Sequence, residues 1–343
     1  MGRRINFVGW YDRGNCGDEA FKAVHQQLFP DCEINWFVDV PPEAAQQDAT
    51  WVLGGGDVFL DYYIRQIPAE APFFVYGVGL GSPDQIDHIA ALSHRIKGIW
   101  LRNARDVEML RERGVDARYS PDIVFQLANA ARNRPLPLEV QNKERKTAVI
   151  IPSNNAAQSA TRRGDLGDFF YFNYMKIKMG AWMDELAQYY DLVFLPFSFD
   201  VNDIDLHFIA EVVGQMKRTS RVQIIKRQLD PLDAARVVAD AQLVMSMKFH
   251  GLIYAMMLGR PFVNIGLTRK TQLLCEDNGF PQLSIPPYTI THDTLMAAVK
   301  QAEDPQLLVR LQENAASLSS HALEEGQLFR EAVLACDEQD LAA

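Results

Sequence analysis

The stretch Leu243–Lys270, LVMSMKFHGLIYAMMLGRPFVNIGLTRK, constrains the fold of this chain more than any other. Its apolar run Leu243–Met245 predicts a buried strand that stops at a polar turn carrying Ser246, Lys248 and His250. The spacing then predicts a helix over Phe249–Leu258. Gly259 ends it, Pro261 forbids its continuation, and Phe262–Ile265 forms the next strand. A βαβ unit of this kind puts its polar turn at the carboxyl edge of a parallel sheet, where open α/β folds bind ligands. A lysine, an imidazole and free amides at a helix start together suit a compact anion.

The residues before this stretch repeat the same grammar. Ile5–Trp10 reads as a strand leading into the loop YDRGNCGD, in which Gly14 and Gly17 permit tight geometry and Asn15 and Asp18 are natural turn or N-cap residues. A helix follows over Asp18–Leu28. Glu33–Val38 and Trp51–Leu53 read as strands, the second ending in a bend at Gly54, Gly55, Gly56 and Asp57. Such a bend suits a structural turn and close approach by a ligand equally well. Phe73–Gly77 also ends in glycines, Gly77, Gly79 and Gly81, before a helix near Pro83–Ile96. Gly98–Leu101 then delivers Arg102 to a strand end, and a helix over Ala104–Arg113 closes at Gly114. The alternation predicts a doubly wound parallel sheet.

Residues 129–146, NAARNRPLPLEVQNKERK, are polar and basic, hold two prolines and show no periodicity, which marks a linker. Thr147–Ile151 restarts the pattern. Ser153–Phe172 is polar and glycine-bearing and reads as a mobile loop, with Arg162 and Arg163 read first as solvated and, as the alternative, as part of a lid closing on an anion. A helix over Asn173–Tyr190, strands at Leu192–Leu195 and Val222–Ile225, helices at Asp203–Met216 and Leu232–Asp240, and the opening βαβ unit make a second half. The tail is helical over Asp293–Gln301 and most of Pro305–Ala335. The expected architecture is α/β: a Rossmann-like domain over 1–128, a linker over 129–146, and a second Rossmann-like domain over 147–343. The helical tail is left free to pack back on the first domain, with the active site in the cleft.

Composition sets the outer limits. At 343 residues, 48% hydrophobic and 23% charged, the chain has the make-up of a soluble globular protein. A net charge of −10 argues against nucleic acid as a partner and requires local basic pockets for any anionic substrate. Cys16, Cys32, Cys275 and Cys336 are scattered, with neither CxxC pairing nor metal-ligand spacing, as expected of thiols in a reducing compartment. The amino terminus has too short an apolar run for a signal peptide, and no window approaches the ~18 apolar residues of a membrane span. A bacterial-type cytoplasmic protein is the expectation.

Several segments, in order, resemble the polysaccharide pyruvyl transferase family. They are Gly14-Asn15-Cys16-Gly17-Asp18-Glu19 after the first strand, Gly54-Gly55-Gly56, the GVGLG run, and Arg102 with Leu110, Gly114-Val115 and Pro121-Asp122. Pro196-Phe197-Ser198 follows with Asp203 and Asp205, and last comes the opening stretch with Lys270 beyond it. The departures from the family pattern are Lys248 for an arginine, Asn103 for an aspartate and Asp106 for a serine. The resemblance implies a GT-B-like pair of domains. It also implies transfer of a carboxyethylidene group from phosphoenolpyruvate to two hydroxyls of a sugar in a cell-surface polysaccharide or its precursor. It assigns His250 to the active site and Arg102 and Lys270 to phosphoenolpyruvate.

On that reading Arg102 offers a planar fork for carboxylate or phosphate, and Lys248 and Lys270 act as point charges. His250, from a residue class that titrates near neutrality, suits protonation of the donor's methylene. Asp18 suits either helix capping or removal of a proton from an acceptor hydroxyl. Asn15, Gly17 and Gly54–Gly56 are placed on the acceptor side. Arg102 could instead pair with Asp106 one turn on, and either Arg269 or Lys270 could point inward. No cofactor besides the donor, and no metal, is expected. A lipid-linked acceptor would put the enzyme at the inner membrane face, and homo-oligomerisation stays open. Two other functions fit such a chain, a GT-B-type nucleotide-sugar glycosyltransferase and a non-catalytic glycan-binding relative. The first commonly carries an acidic residue in the helix after His250, where this chain has Tyr254, Ala255 and Met256.

Overall fold

The computed structural model describes residues 3–80, 82–140, 145–154, 164–200, 203–286 and 288–340; Gly81, Arg162 and Arg163 lie outside the described residues. The chain divides into two compact units, one of Met1–Arg13, Asp18–Leu127 and Leu318–Ala343, the other of Gly14–Gly17 and Ala128–Ser317.

The first unit holds a six-stranded parallel sheet of β1 (Arg4–Val8), β2 (Glu33–Phe37), β3 (Thr50–Gly56), β4 (Phe73–Val78), β5 (Ile96–Leu101) and β6 (Arg118–Tyr119). The order is β2-β1-β3-β4-β5-β6. β3 and β4 are buried along their whole length, as central strands of a parallel sheet with both faces covered must be. The chain moves from β1 to the edge and returns on the other side of β1, so the switch point lies between β1 and β3.

The expected bend at Gly54–Gly56 is instead the continuation of β3, with Gly54 opposite Tyr76 and Gly56 opposite Val78. Glycine is needed there because Gly55 and Gly56 have φ of +74° and +87°, and a Cβ on Gly55 would lie 2.3 Å from the Phe21 ring. β5 begins two residues before its expected start at Gly98, at Ile96, and the preceding helix ends at Leu92.

The end of the long carboxyl-terminal helix, Pro305–Asp340, belongs to this unit from Leu318 onward. Phe329 is fully buried, stacked on Tyr76 at 3.7 Å between ring centroids, with Trp100, Phe74 and Phe29 edge-on around it. One turn earlier, Glu325 accepts from Trp100 Nε1 at 3.0 Å and from both Nε and Nη2 of Arg118.

The second unit holds another six-stranded parallel sheet, of β7 (Thr147–Ile151), β8 (Asp191–Phe194), β11 (Val222–Ile224), β12 (Leu243–Ser246), β13 (Phe262–Ile265) and β14 (Ser284–Ile285). The order is β11-β8-β7-β12-β13-β14, which puts the switch point between β7 and β12. A short antiparallel pair, β9 (Phe199–Asp200) and β10 (Asp203–Ile204), stands apart from it. The helix expected from Asn173 begins earlier, at Leu166, because Asp165 caps it by accepting from the Asp168 amide at 3.0 Å. Part of the expected linker is helical, Ala128–Asn133, with Ala128 and Ala131 buried.

The opening βαβ unit forms as its sequence requires. The helix is Phe249–Met257; Gly259 follows at φ +62°, the Arg260 amide bonds Ala255 O and the Gly259 amide bonds Met256 O. That is a Schellman termination, with Pro261 directing the chain into β13.

Candidate active site

In the second unit a closed circuit of contacts begins at the switch-point turn. Ser246, the last residue of β12, is fully buried; its Oγ donates to Lys248 O at 2.8 Å and accepts from the Lys248 amide at 3.1 Å. A side chain at residue 251 would sit 2.3 Å from that hydroxyl, which is why Gly251 follows His250. The turn therefore has one shape, and it fixes where Lys248 and His250 leave the backbone.

Lys248 Nζ lies 3.0 Å from Asp203 Oδ2 and 3.0 Å from Asp205 Oδ1. Burial opposes the lysine's charge, but the two carboxylates outweigh it and hold its pKa above the usual value. With two acids against one cation, burial pushes Asp205 up to about 6, Lys248 offsetting only part of that shift. The other oxygen of Asp205 accepts from the amides of Phe197 and Ser198 at 2.9 and 2.8 Å. Lys248 thus ties the turn after β12 to the segment after β8.

That segment in turn receives the amino-terminal loop. Cys16 N donates to Phe197 O at 2.7 Å, Phe199 N donates to Gly14 O at 2.9 Å, and Asn15 bridges Ser198. Asn15 Oδ1 accepts from the Gly17 amide at 3.1 Å, which closes the loop on itself. Gly17 then lies against His250: a Cβ there would fall 2.2 Å from Nδ1 and 2.3 Å from Cγ. Beneath them Cys16 Sγ is 3.7 Å from Tyr254 Oη, and Tyr254 meets Phe197 ring to ring at 5.3 Å.

Lys270 is exposed, with Nζ 5.6 Å from the centroid of the Phe249 ring, which meets His250 edge-on at 5.5 Å. Arg269 runs along its own helix to Glu276 at 2.8 Å, so of the two basic residues Lys270 is the one directed at the turn. Asn15, Gly17, Lys248, His250 and Lys270 are thereby brought together within one unit.

In the first unit the candidates sit at strand ends. Arg102 follows β5, and its amide bonds Val78 O at 3.0 Å. It does not pair with Asp106 as its sequence spacing allows. Nη1 donates to Asp122 at 3.1 Å and Nη2 to Asp57. Burial opposes the guanidinium charge, and Asp57 and Asp122 outweigh burial, raising its pKa further. Asp106 accepts instead from the Leu80 amide at 3.1 Å and from Asn103 Nδ2 at 2.7 Å. Asn103 and Asp106, the two departures named above, thus meet each other across the first turn of the helix.

Asp18 lies in the first turn of the helix Cys16–Leu28, its Oδ1 3.4 Å from where a Cβ on Gly56 would be. Gly54 accepts from the Tyr11 hydroxyl through its carbonyl. The glycine run is accounted for by strand geometry, Phe21 and Tyr11, while Gly56 faces Asp18.

Two groups of residues gained weight that their sequence alone did not give them. Asp203 and Asp205 had a signal, two acids shortly after Pro196-Phe197-Ser198, with no sign of their target. Asp57 follows three glycines at a strand end, and only the fold reveals that it meets Arg102.

Two parallel six-stranded sheets, each flanked by helices, define an α/β protein of GT-B type, and solved structures agree. The chain is similar to the UDP-GlcNAc 2-epimerase from Neisseria meningitidis bound to UDP-GlcNAc, at 11% identity over 95% of this chain and 99% of that one, with a TM-score of 0.57. It is similar to an α,α-trehalose-phosphate synthase (UDP-forming) from Burkholderia vietnamiensis, at 13% identity over 100% and 99%, TM-score 0.54. It also matches the glycotransferase of kitacinnamycin, at 12% identity over 97% and 100%, TM-score 0.52. No curated protein matches. The model of the polysaccharide pyruvyl transferase family matches residues 15–268, and the chain belongs to that family of transferases. Among the described residues no helix is long and apolar enough to cross a membrane.

Proposed function

We propose that the protein transfers a carboxyethylidene group from phosphoenolpyruvate to two hydroxyls of a sugar, forming a ketal and releasing phosphate. The observation that carries this is the seating of Gly17 on the His250 imidazole. It gives the glycine-bearing loop of the family a physical purpose, to hold the one side chain in the turn suited to proton transfer.

In this reading protonated His250 donates to the methylene carbon of the donor, which becomes a methyl group as the adjacent carbon turns oxocarbenium-like. A first sugar hydroxyl attacks that carbon and gives up its proton, restoring the balance at the imidazole. Phosphate then leaves with the C–O bond electrons, and the second hydroxyl closes the ketal as its proton passes to the departing phosphate. Arg102 binds an anionic group of the donor through its fork, and Lys270 supplies a point charge beside the turn. Lys248 is already balanced by Asp203 and Asp205, so its role is to fix the turn. Asp18 is the candidate base that takes the second hydroxyl's proton and passes it to the departing phosphate. The helix Phe249–Met257 has no carboxylate to hold a donor ribose, which favours this reading over a nucleotide-sugar transferase.

The test is incubation with phosphoenolpyruvate and a panel of galactose-, mannose- and N-acetylmannosamine-type acceptors, following phosphate alongside sugar mass. Phosphate release with the ketal mass supports the reading. Consumption of a nucleotide sugar in place of phosphoenolpyruvate contradicts it.

A further inference from the structure

We infer that Asp57 is an exchangeable counter-ion, a carboxylate that occupies Arg102 until an anionic group of the donor displaces it. The inference rests on the assignment of Arg102 to donor binding made above.

The two carboxylates on Arg102 differ in standing. The Asp122 side chain is 2% exposed; one oxygen accepts from Nη1 at 3.1 Å and the other from the Val124 amide at 3.1 Å. It is fixed from both sides. The Asp57 side chain is 41% exposed while the arginine side chain it holds is 4% exposed. It follows Gly55 and Gly56, both at positive φ, at the carboxyl end of β3 beside the switch point of the sheet. Gly79 keeps the place narrow: a Cβ there would lie 2.5 Å from Arg102 Nε and 2.9 Å from Asp57 Oδ1. A carboxylate on a guanidinium fork is what the donor's own carboxylate would form, so Asp57 stands where that group would bind.

Charge balance supplies the reason for exchange. Arg102 already faces Asp57 and Asp122, and Asp106 is close enough to feel both Arg102 and Asp57. An anion arriving at Arg102 would be a third negative group on one guanidinium unless one carboxylate withdraws. Of the pair on Arg102, Asp57 alone opens to solvent. Asp122, fixed from both sides, keeps the buried cation paired whether or not Asp57 is in place, and a buried unpaired charge is costly to fold around.

Asp57→Asn keeps the volume and removes the charge. Titration of the full chain with phosphoenolpyruvate is expected to show about tenfold tighter binding by this variant than by the wild type, since a competing like charge is gone. Its melting temperature is expected to stay close to that of the wild type. A purely structural role for Asp57 gives the opposite sign, because a misplaced Arg102 binds the donor less well. Equal or weaker binding overturns the inference, as does a variant that fails to fold, since a displaceable partner is not a required one. If wild type and variant both fold and neither binds phosphoenolpyruvate, the donor assignment itself is wrong and the inference falls with it.

Discussion

Gly17 and His250 are 233 positions apart in sequence, yet a single methyl group on Gly17 would overlap the imidazole, at 2.2 Å from Nδ1. One residue is glycine because the other is histidine. Gly17→Ala therefore has to push either the ring or the loop aside. We expect kcat to fall about 100-fold, the cost of displacing a reacting group by about an ångström. The thermal melt is expected to change little. An alanine variant with full activity would show that the ring position carries no weight.

The buried trio around Lys248 makes a second prediction. Lys248→Met leaves Asp203 and Asp205 facing each other without a cation, and breaking a buried pair from one side costs about 3–5 kcal/mol. Lys248→Arg keeps the charge at the position where the family usually has arginine, so it is expected to retain stability and turnover within a few-fold. Denaturant titration of both variants decides this. Equal stability of the methionine variant would mean that the ion pairs are not made in solution.

Acid stability should carry the signature of His25. This residue is fully buried, stacked on Phe7 at 3.7 Å and accepting from Trp36 Nε1, and burial lowers its pKa to about 3. The unfolded chain binds a proton there below pH 6.5 while the folded chain does not. The contribution is thus complete above pH 6.5 and lost as pH falls toward 3, at up to about 1.4 kcal/mol per pH unit. His25→Gln should flatten the dependence of melting temperature on pH between 6.5 and 3. An unchanged slope would place the acid sensitivity elsewhere.

The long carboxyl-terminal helix completes the first unit's core through Phe329. Phe329→Ala removes a ring that touches Tyr76, Trp100, Phe74 and Phe29 and should cost about 3–5 kcal/mol, read by denaturant melting. A loss below about 1 kcal/mol would mean that the helix is not docked there.

Much of this was legible in the sequence because it was local. The run of Leu243–Met245, the stop at Gly259 and Pro261, and the alternation of strands and helices specify each βαβ unit from neighbours in the chain. The parallel, doubly wound character of the sheets follows from that pattern, while the short edge strand Ser284–Ile285 and the switch points at β1/β3 and β7/β12 appear only in the fold. His250 and Arg102 were legible as strand-end candidates with family motifs around them. What each charge meets was not legible. Lys248 reads as a free cation until the fold brings Asp203 and Asp205 to it from 45 and 43 residues away. Arg102 reads as a donor-binding fork or, alternatively, as a partner of Asp106, and only the fold reveals that Asp57 and Asp122 meet its terminal nitrogens. The glycines at residues 54–56 read as a bend because nothing local signals that Phe21 will lie against them. Pairings across a fold leave no trace in periodicity, and those pairings decide which basic residues can receive a ligand.

The central claim is that His250 protonates the methylene of phosphoenolpyruvate as its carbon is transferred to a sugar. The most direct measurement is the reaction with an accepted sugar in deuterium oxide, with phosphate release followed by phosphorus resonance and the product by proton resonance and mass. The account predicts one phosphate per ketal, a single deuterium in the product methyl group, and loss of both signals in His250→Gln. A product that keeps an intact methylene, or phosphoenolpyruvate left unconsumed while a nucleotide sugar is spent, would contradict it.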